Sequence, residues 1–174
     1  MTKEEIKALV RAVPDFPAQG ILFRDVTTLI RHGEGFAACI AHLARMAEAA
    51  GAEVIAGMEA RGFIFGAALA TRLGKGFIPV RKAGKLPWAV VREEYTLEYG
   101  TDKLEIHRDA IHPGERILVV DDVLATGGTA AAVASLVTRL GGVLAGFAFP
   151  IELAFLGGRS RLGGVPVDSL VTYR

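Results

Sequence analysis

The sequence contains a single cysteine, Cys39, so no internal disulfide can form and no zinc cage can be built from thiolates. A reducing cytoplasm is the simplest compartment. Neither charge sign is in excess, since 20 Lys and Arg against 19 Asp and Glu leave a formal net charge of +1. That balance gives no global pull toward nucleic acid or an anionic membrane, so any anion site must be built locally. No run reaches the ~18 uninterrupted apolar residues of a membrane helix. Thr2-Lys3-Glu4-Glu5-Ile6-Lys7 carries acids where a signal peptide needs an apolar core, so neither insertion nor export is expected. Also missing are the lysine-bearing G-x-x-x-x-G-K-[ST] loop and any G-x-G-x-x-G after a strand, which removes two common nucleotide-binding motifs. Internal repeats and low-complexity segments are absent. With 174 residues, 51% of them hydrophobic, the chain suits one domain spanning residues 1–174 with a substantial core.

Apolar strands and amphipathic helices alternate along the chain. Thr2 and Glu5 form a capping-box pattern, and Ile6, Leu9, Val10 and Val13 recur at helical spacing until Pro14, predicting a short first helix. Residues 1–32, punctuated by Pro14, Pro17 and Gly20, read as an appendage ahead of the main repeat. From there, Phe36, Ile40, Leu43 and Ala47 mark a helix, and Val54-Ile55-Ala56 a strand. A helix from about Phe63 to Leu73 precedes a strand at Phe77–Val80, and Ile117–Val120, a helix near 129–140 and Val143–Phe149 follow. Strands that are continuously apolar predict burial on both faces, hence an α/β fold with a central parallel sheet flanked by helices. Residues 88–107 differ. Leu104 and Ile106 alternate with Lys103, Glu105 and His107, which predicts a projecting antiparallel hairpin.

The most informative segment is Ile117 to Thr129, ILVVDDVLATGGT. A buried strand ends in two carboxylates, and a loop of small residues leads into a helix. Ligands bind at this edge of open α/β sheets. Ala125, Thr126, Gly127, Gly128 and Thr129 offer backbone N–H groups at a helix N-terminus, a natural phosphate site. Asp121 and Asp122 would repel a phosphate, so they suit hydroxyls or magnesium-bound water instead. Helix capping and an ordinary turn would explain either half of the segment alone. Two charges at the end of an apolar strand, however, are costly to keep without a partner. Glu59-Ala60-Arg61-Gly62 and Arg81-Lys82, with Lys85 beyond, follow two further strands and so lie at the same edge. Arg offers a planar fork and Lys a point charge, a combination suited to a pyrophosphate. By charge count alone, the segment Arg81–Lys85 also reads as a solvated basic loop.

VVDDVLATGGT resembles the phosphoribosyl pyrophosphate signature of the type I phosphoribosyltransferases. MEARGFIFG, RKAGKLP, the opening Pro14–Pro17 and Gly20–Asp25, and the closing Ser169–Tyr173 are similar to stretches of the adenine phosphoribosyltransferases, so the resemblance spans nearly the whole chain. It implies the type I phosphoribosyltransferase fold with an N-terminal hood (1–32), a flexible hairpin lid (88–107) and a homodimer. The implied reaction joins adenine to the ribose of phosphoribosyl pyrophosphate, giving AMP and pyrophosphate. By the same resemblance Asp121 and Asp122 hold the ribose, and Ala125 to Thr129 the 5′-phosphate. Ala60, Arg61, Arg81, Lys82, Lys85 and Tyr99 face the pyrophosphate, and Leu22, Phe23, Arg24 and Leu153 the adenine. Glu98, Arg61, Asp121 and Asp122 are the implied catalytic groups. Family members vary at the position of Ala60, some carrying serine, and the loop there can hold a non-proline cis peptide. Magnesium is implied through the substrate's oxygens, with no direct protein ligand. His32, His42, His107 and His112 lie outside these stretches and read as structural or exposed. The competing readings are a regulator that senses phosphoribosyl pyrophosphate, for which the opening region is too short to carry a DNA-binding module, and an enzyme for another purine base, which the hood opposes.

Overall fold

The structure, a computed structural model, describes residues 1–96 and 100–174. In chain order the elements are α1 (Lys3–Ala8), β1 (Arg11–Pro14), β2 (Leu22–Asp25), α2 (Thr27–Arg31), α3 (Gly33–Ala49), β3 (Val54–Met58), α4 (Arg61–Leu73), β4 (Gly76–Lys82), β5 (Val90–Thr96), β6 (Thr101–His107), β7 (Arg116–Val120), β8 (Val123–Leu124), α5 (Gly128–Arg139), β9 (Val143–Leu153) and β10 (Val167–Tyr173). Among the described residues one sheet runs β10-β9-β7-β3-β4-β6-β5, with β8 pairing β9 beside that path. The first five strands of that order are mutually parallel, and β6 and β5 extend them antiparallel.

Ile117, Leu118, Val119 and Val120 are each at most 1% exposed. Their side chains alternate between two cores. Leu118 and Val120 pack with α1, α3 and α4 on one face of the sheet, and Ile117 and Val119 pack with α5 on the other. The expected helix-covered parallel sheet is therefore present, and the unbroken apolar runs are its cause. Cys39 lies in the first core, where burial pushes its thiol up to about 12.

The first helix is shorter than its periodicity predicts. The Thr2–Glu5 capping box forms, yet α1 ends at Ala8 and Val13 belongs to β1, opposite Phe23 of β2. The Arg11 guanidinium donates from Nε to Asp25 at 3.0 Å across this ladder and fixes its register. His32 caps α3, its Nδ1 accepting from the Gly35 amide at 3.1 Å. That is a structural role, as expected.

The hairpin forms from β5 and β6, but its polar face is not simply solvated. Glu105 is 2% exposed, accepts from Arg92 Nε at 2.8 Å and also accepts from the Gly84 amide at 2.9 Å. It thus ties the hairpin to the loop after β4. Arg92→Leu leaves this carboxylate buried without its cation, and we expect a loss of about 1–3 kcal/mol of unfolding free energy, measured by urea titration. An unchanged midpoint would show that the Gly84 amide alone suffices.

Candidate active site

Strands β3, β4 and β7 run in the same direction, so their C-terminal ends open on one edge. Beyond Val120 the chain leaves as Asp121-Asp122, pairs briefly with β9 through β8, and turns into α5. Gly127 sits at φ 80° in the left-handed region, and a Cβ there would collide with the carbonyl of Gly158. Only glycine meets both demands. Helix α5 starts with no side-chain cap, which leaves its first amide groups for an anion. Ala125, Thr126, Gly127, Gly128 and Thr129, together with Asp121, line a cavity of about 60 Å³ at this point.

Asp122 is 4% exposed, and its carboxylate accepts from Nε of Arg61, the first residue of α4. Asp121 accepts from the Asp122 amide at 2.9 Å. Burial, and then the Asp122 charge beside it, push the Asp121 carboxyl well above its ordinary 3.8. A Cβ on Gly62 would stand 2.7 Å from Asp121 Oδ1 and 3.1 Å from the Val120 carbonyl oxygen. Glycine there lets the first turn of α4 approach the acids.

A second cavity, of about 280 Å³, is lined by Arg61, Lys82, Ala60, Asp121, Asp122 and Thr129, together with Glu59, Tyr95, Asp102 and Leu104. The Glu59–Ala60 peptide on its wall is cis. Lys82 Nζ lies 3.1 Å from Asp102 Oδ2, and the Tyr95 hydroxyl donates to the same oxygen at 3.4 Å. Arg81 is turned differently. Its Nε donates to Glu59 at 3.1 Å and its Nη1 to the Lys85 carbonyl at 3.2 Å. Glu59 also accepts from the Lys82 amide at 3.0 Å. Burial alone would raise the Glu59 carboxyl; the Lys82 amide and the Arg81 guanidinium outweigh it and hold it below its ordinary range. Neither Arg81, near the end of β4, nor Lys85, in the loop beyond it, is among the residues that line this cavity.

A third cavity, of about 300 Å³ and largely apolar, lies between the hood and the end of β9. Ile21, Leu22, Phe23 and Arg24 form one side and Leu153 the other, with Arg61, Asp121, Asp122, Val123 and Ala125 at its floor. Phe16 meets Phe23 edge to face at 5.2 Å, and the Arg24 guanidinium stacks 3.9 Å above the Tyr173 ring. Asp121 lines all three cavities, so they are adjoining compartments around one carboxylate.

The structure thus brings together Asp121, Asp122, Ala60, Arg61, Lys82, the segment 125–129, Leu22, Phe23, Arg24 and Leu153. Glu98 and Tyr99 lie outside the described residues. The sequence reading gave no role to Glu59, Gly62 or Asp102. Glu59 had a signal in its position directly before Ala60-Arg61 at a strand end, whereas the partners of Asp102 are set by hairpin register. Among the described residues no group of three or more His, Cys, Asp or Glu side chains could hold a metal ion by itself. Likewise no helix among them is long and apolar enough to cross a membrane.

The family model of the phosphoribosyl transferase domain matches residues 26–156. An adenine phosphoribosyltransferase of Erythrobacter litoralis is 56% identical, over 99% of this chain and 98% of its own length. The crystal structure of adenine phosphoribosyltransferase from Thermoanaerobacter pseudethanolicus has a TM-score of 0.96 at 51% identity, covering 99% of this chain and 100% of that one. The Saccharomyces cerevisiae enzyme, solved with D-2,5-dideoxy-2,5-imino-altritol 1,6-bisphosphate and adenine, has a TM-score of 0.92 at 44% identity, covering 97% of each chain.

Proposed function

Because the chain belongs to the adenine phosphoribosyltransferase family, we infer that it transfers the 5-phosphoribosyl group of phosphoribosyl pyrophosphate to adenine, releasing AMP and pyrophosphate. The observation that carries this reading is the trio of cavities sharing Asp121, one bounded by amides, one by Arg61 and Lys82 set among four carboxylates, and one by apolar side chains. They match the phosphate, pyrophosphate and base of a single ternary complex.

In this reading the 5′-phosphate rests on the amides of Ala125 to Thr129 and the ribose hydroxyls donate to Asp121 and Asp122. The pyrophosphate faces Arg61, Lys82 and the Ala60 amide, with Arg81 near the end of β4 and Lys85 in the loop beyond contributing positive charge from behind. Adenine lies between Phe23 and Leu153, with the main chain of Leu22 to Arg24 reading its amino edge. Adenine N9 forms the bond to the anomeric carbon as the bond to pyrophosphate breaks, through a transition state with oxocarbenium character like that of glycoside hydrolysis. The electron pair leaves with pyrophosphate, so preorganised cations around it lower the barrier. Asp121 and Asp122 fix the sugar and favour positive charge on its ring. The proton released from adenine passes to a base, for which Glu98 is our candidate, and we assign Tyr99 to the pyrophosphate. Hood, sheet and hairpin act as one catalytic domain, and closing the hairpin excludes water that would hydrolyse the activated sugar.

Carboxylates line the cation cavity, and hard oxygen donors suit magnesium. We propose magnesium held through the donor's own oxygens beside Asp121 and Asp122, where it would neutralise leaving-group charge. We further propose that the enzyme works as a homodimer in the cytoplasm. Incubation with magnesium, phosphoribosyl pyrophosphate and each purine in turn tests the reading. AMP from adenine, with little product from hypoxanthine or guanine, is the expected result. No AMP would defeat it, and product from another purine alone would move the assignment to that base.

A further inference from the structure

The phosphate loop is braced from outside by a short turn that the family match at residues 26–156 does not reach. Residues Gly158–Arg161 form a single 3-10 turn after β9. Gly158 is buried. A Cβ on it would run into the Ala125 carbonyl and stand 3.0 Å from both the Gly127 amide nitrogen and Leu124 Cδ1. The reverse is also true, since a Cβ on Gly127 would meet the Gly158 carbonyl group and stand 3.2 Å from the Gly158 Cα. Two stretches of bare backbone are therefore pressed together, and where the turn sits decides where Ala125 to Gly127 can sit.

One side chain fixes the turn. Arg159 donates from Nε to Glu152 Oε1 at 2.6 Å and from Nη2 to Oε2 at 2.7 Å, a fork-to-fork pair. Its Nη1 donates to the Val167 carbonyl, and Nη2 also reaches the Ser169 hydroxyl at 3.2 Å. Glu152 is 5% exposed and belongs to β9, in register with Leu124 of β8 on one side and Thr172 of β10 on the other. The Arg159 guanidinium holds the Glu152 carboxyl below its ordinary range, against the opposing effect of burial. The turn is thus riveted to the sheet at the strand that also ends in Leu153.

We infer that Arg159 is a positioning residue for the 5′-phosphate cradle, acting through Glu152 to hold the Gly158 backbone against Ala125 and Gly127. The inference rests on the phosphate reading of that cradle, and it extends the machinery to residues that touch no substrate. A planar fork is required, because a point charge cannot hold both carboxylate oxygens and set the tilt of the turn.

The test measures steady-state kinetics together with ribose 5-phosphate binding by calorimetry, in the full chain. Gly158→Ala and Arg159→Leu should each raise the KM for phosphoribosyl pyrophosphate at least tenfold and weaken ribose 5-phosphate binding by a similar factor. The KM for adenine, at saturating donor, should stay within twofold. Arg159→Lys should recover only part of the loss. If Gly158→Ala does not fold, the two Arg159 variants carry the comparison. Wild-type affinity for ribose 5-phosphate in Arg159→Leu overturns the inference, and so does equal weakening on the adenine and donor sides, which would mark a general structural role. A wild-type protein that binds ribose 5-phosphate but forms no AMP would defeat the functional reading and leave this inference standing.

Discussion

Arg61→Ala is expected to lower kcat by about 10²–10³-fold, the loss typical when a preorganised donor aimed at developing charge is removed. Arg61 borders both the cation cavity and the base pocket, and its guanidinium carbon lies 5.7 Å from the Phe23 ring centre. One edge of the fork is committed to Asp122 through Nε, which aims the remaining N–H groups. The substitution also strips a 4% exposed carboxylate of its cation, at a cost of about 1–3 kcal/mol in stability. Arg61→Lys restores charge but not the fork, so its activity should fall between the two. Comparing kcat with the unfolding midpoint separates the effects, because the kinetic loss must exceed anything the small unfolded fraction can explain. Unchanged turnover in Arg61→Ala would remove this residue from the site.

Asp121→Asn should do the opposite to stability. Asp121 carries a carboxyl whose charged form is disfavoured first by burial and then by Asp122, so the unliganded fold holds its proton more tightly than the unfolded chain does. A group of this kind favours the native state most below its ordinary value of 3.8, and that advantage is lost as pH rises through the raised native pKa. Asparagine keeps an oxygen to accept from the Asp122 amide and carries no charge. At neutral pH we therefore expect the variant to be more stable than wild type by about 1–2 kcal/mol, while its kcat/KM falls at least ~10²-fold for want of a carboxylate on the ribose. The difference in melting temperature should be small near pH 4 and grow with pH to a plateau. Glu105, Glu152 and Asp102, held below their ordinary range against burial by hydrogen-bonded partners that include Arg92, Arg159 and Lys82, lose stability in the other direction as pH falls. They are common to both proteins and cancel in the difference. A variant less stable than wild type throughout would contradict the account.

The alternating helices and buried strands could be read from the sequence because burial on two faces leaves an unbroken apolar run, and β3, β4 and β7 all announce themselves that way. Strand β8 could not, since two residues carry no period. Strand β9 runs to Leu153, beyond the predicted end at Phe149, because Pro150 interrupts the reading but not the ladder. Its register with β10 is the same on either side of the proline, with Phe149 opposite Ser169 and Ile151 opposite Val171. At the amino end the helical period of Ile6, Leu9, Val10 and Val13 runs through a boundary that only the distant Asp25 and Phe23 define.

In the site, the acids, the small-residue loop and the basic residues were legible as types at strand ends. Their directions were not. That Arg81 turns to Glu59 while Lys82 lines the cavity depends on contacts across two loops, and the bracing of Gly127 by Gly158 depends on a turn some thirty residues away in sequence. Such pairings are set by the packed fold, and no local pattern encodes them.

A crystal structure with AMP bound tests the central claim most directly. The account predicts the phosphate on the amides of Ala125 to Thr129, the ribose hydroxyls on Asp121 and Asp122, and the purine between Phe23 and Leu153. AMP bound elsewhere, or reversed so that the base enters the amide-lined cavity, would contradict it.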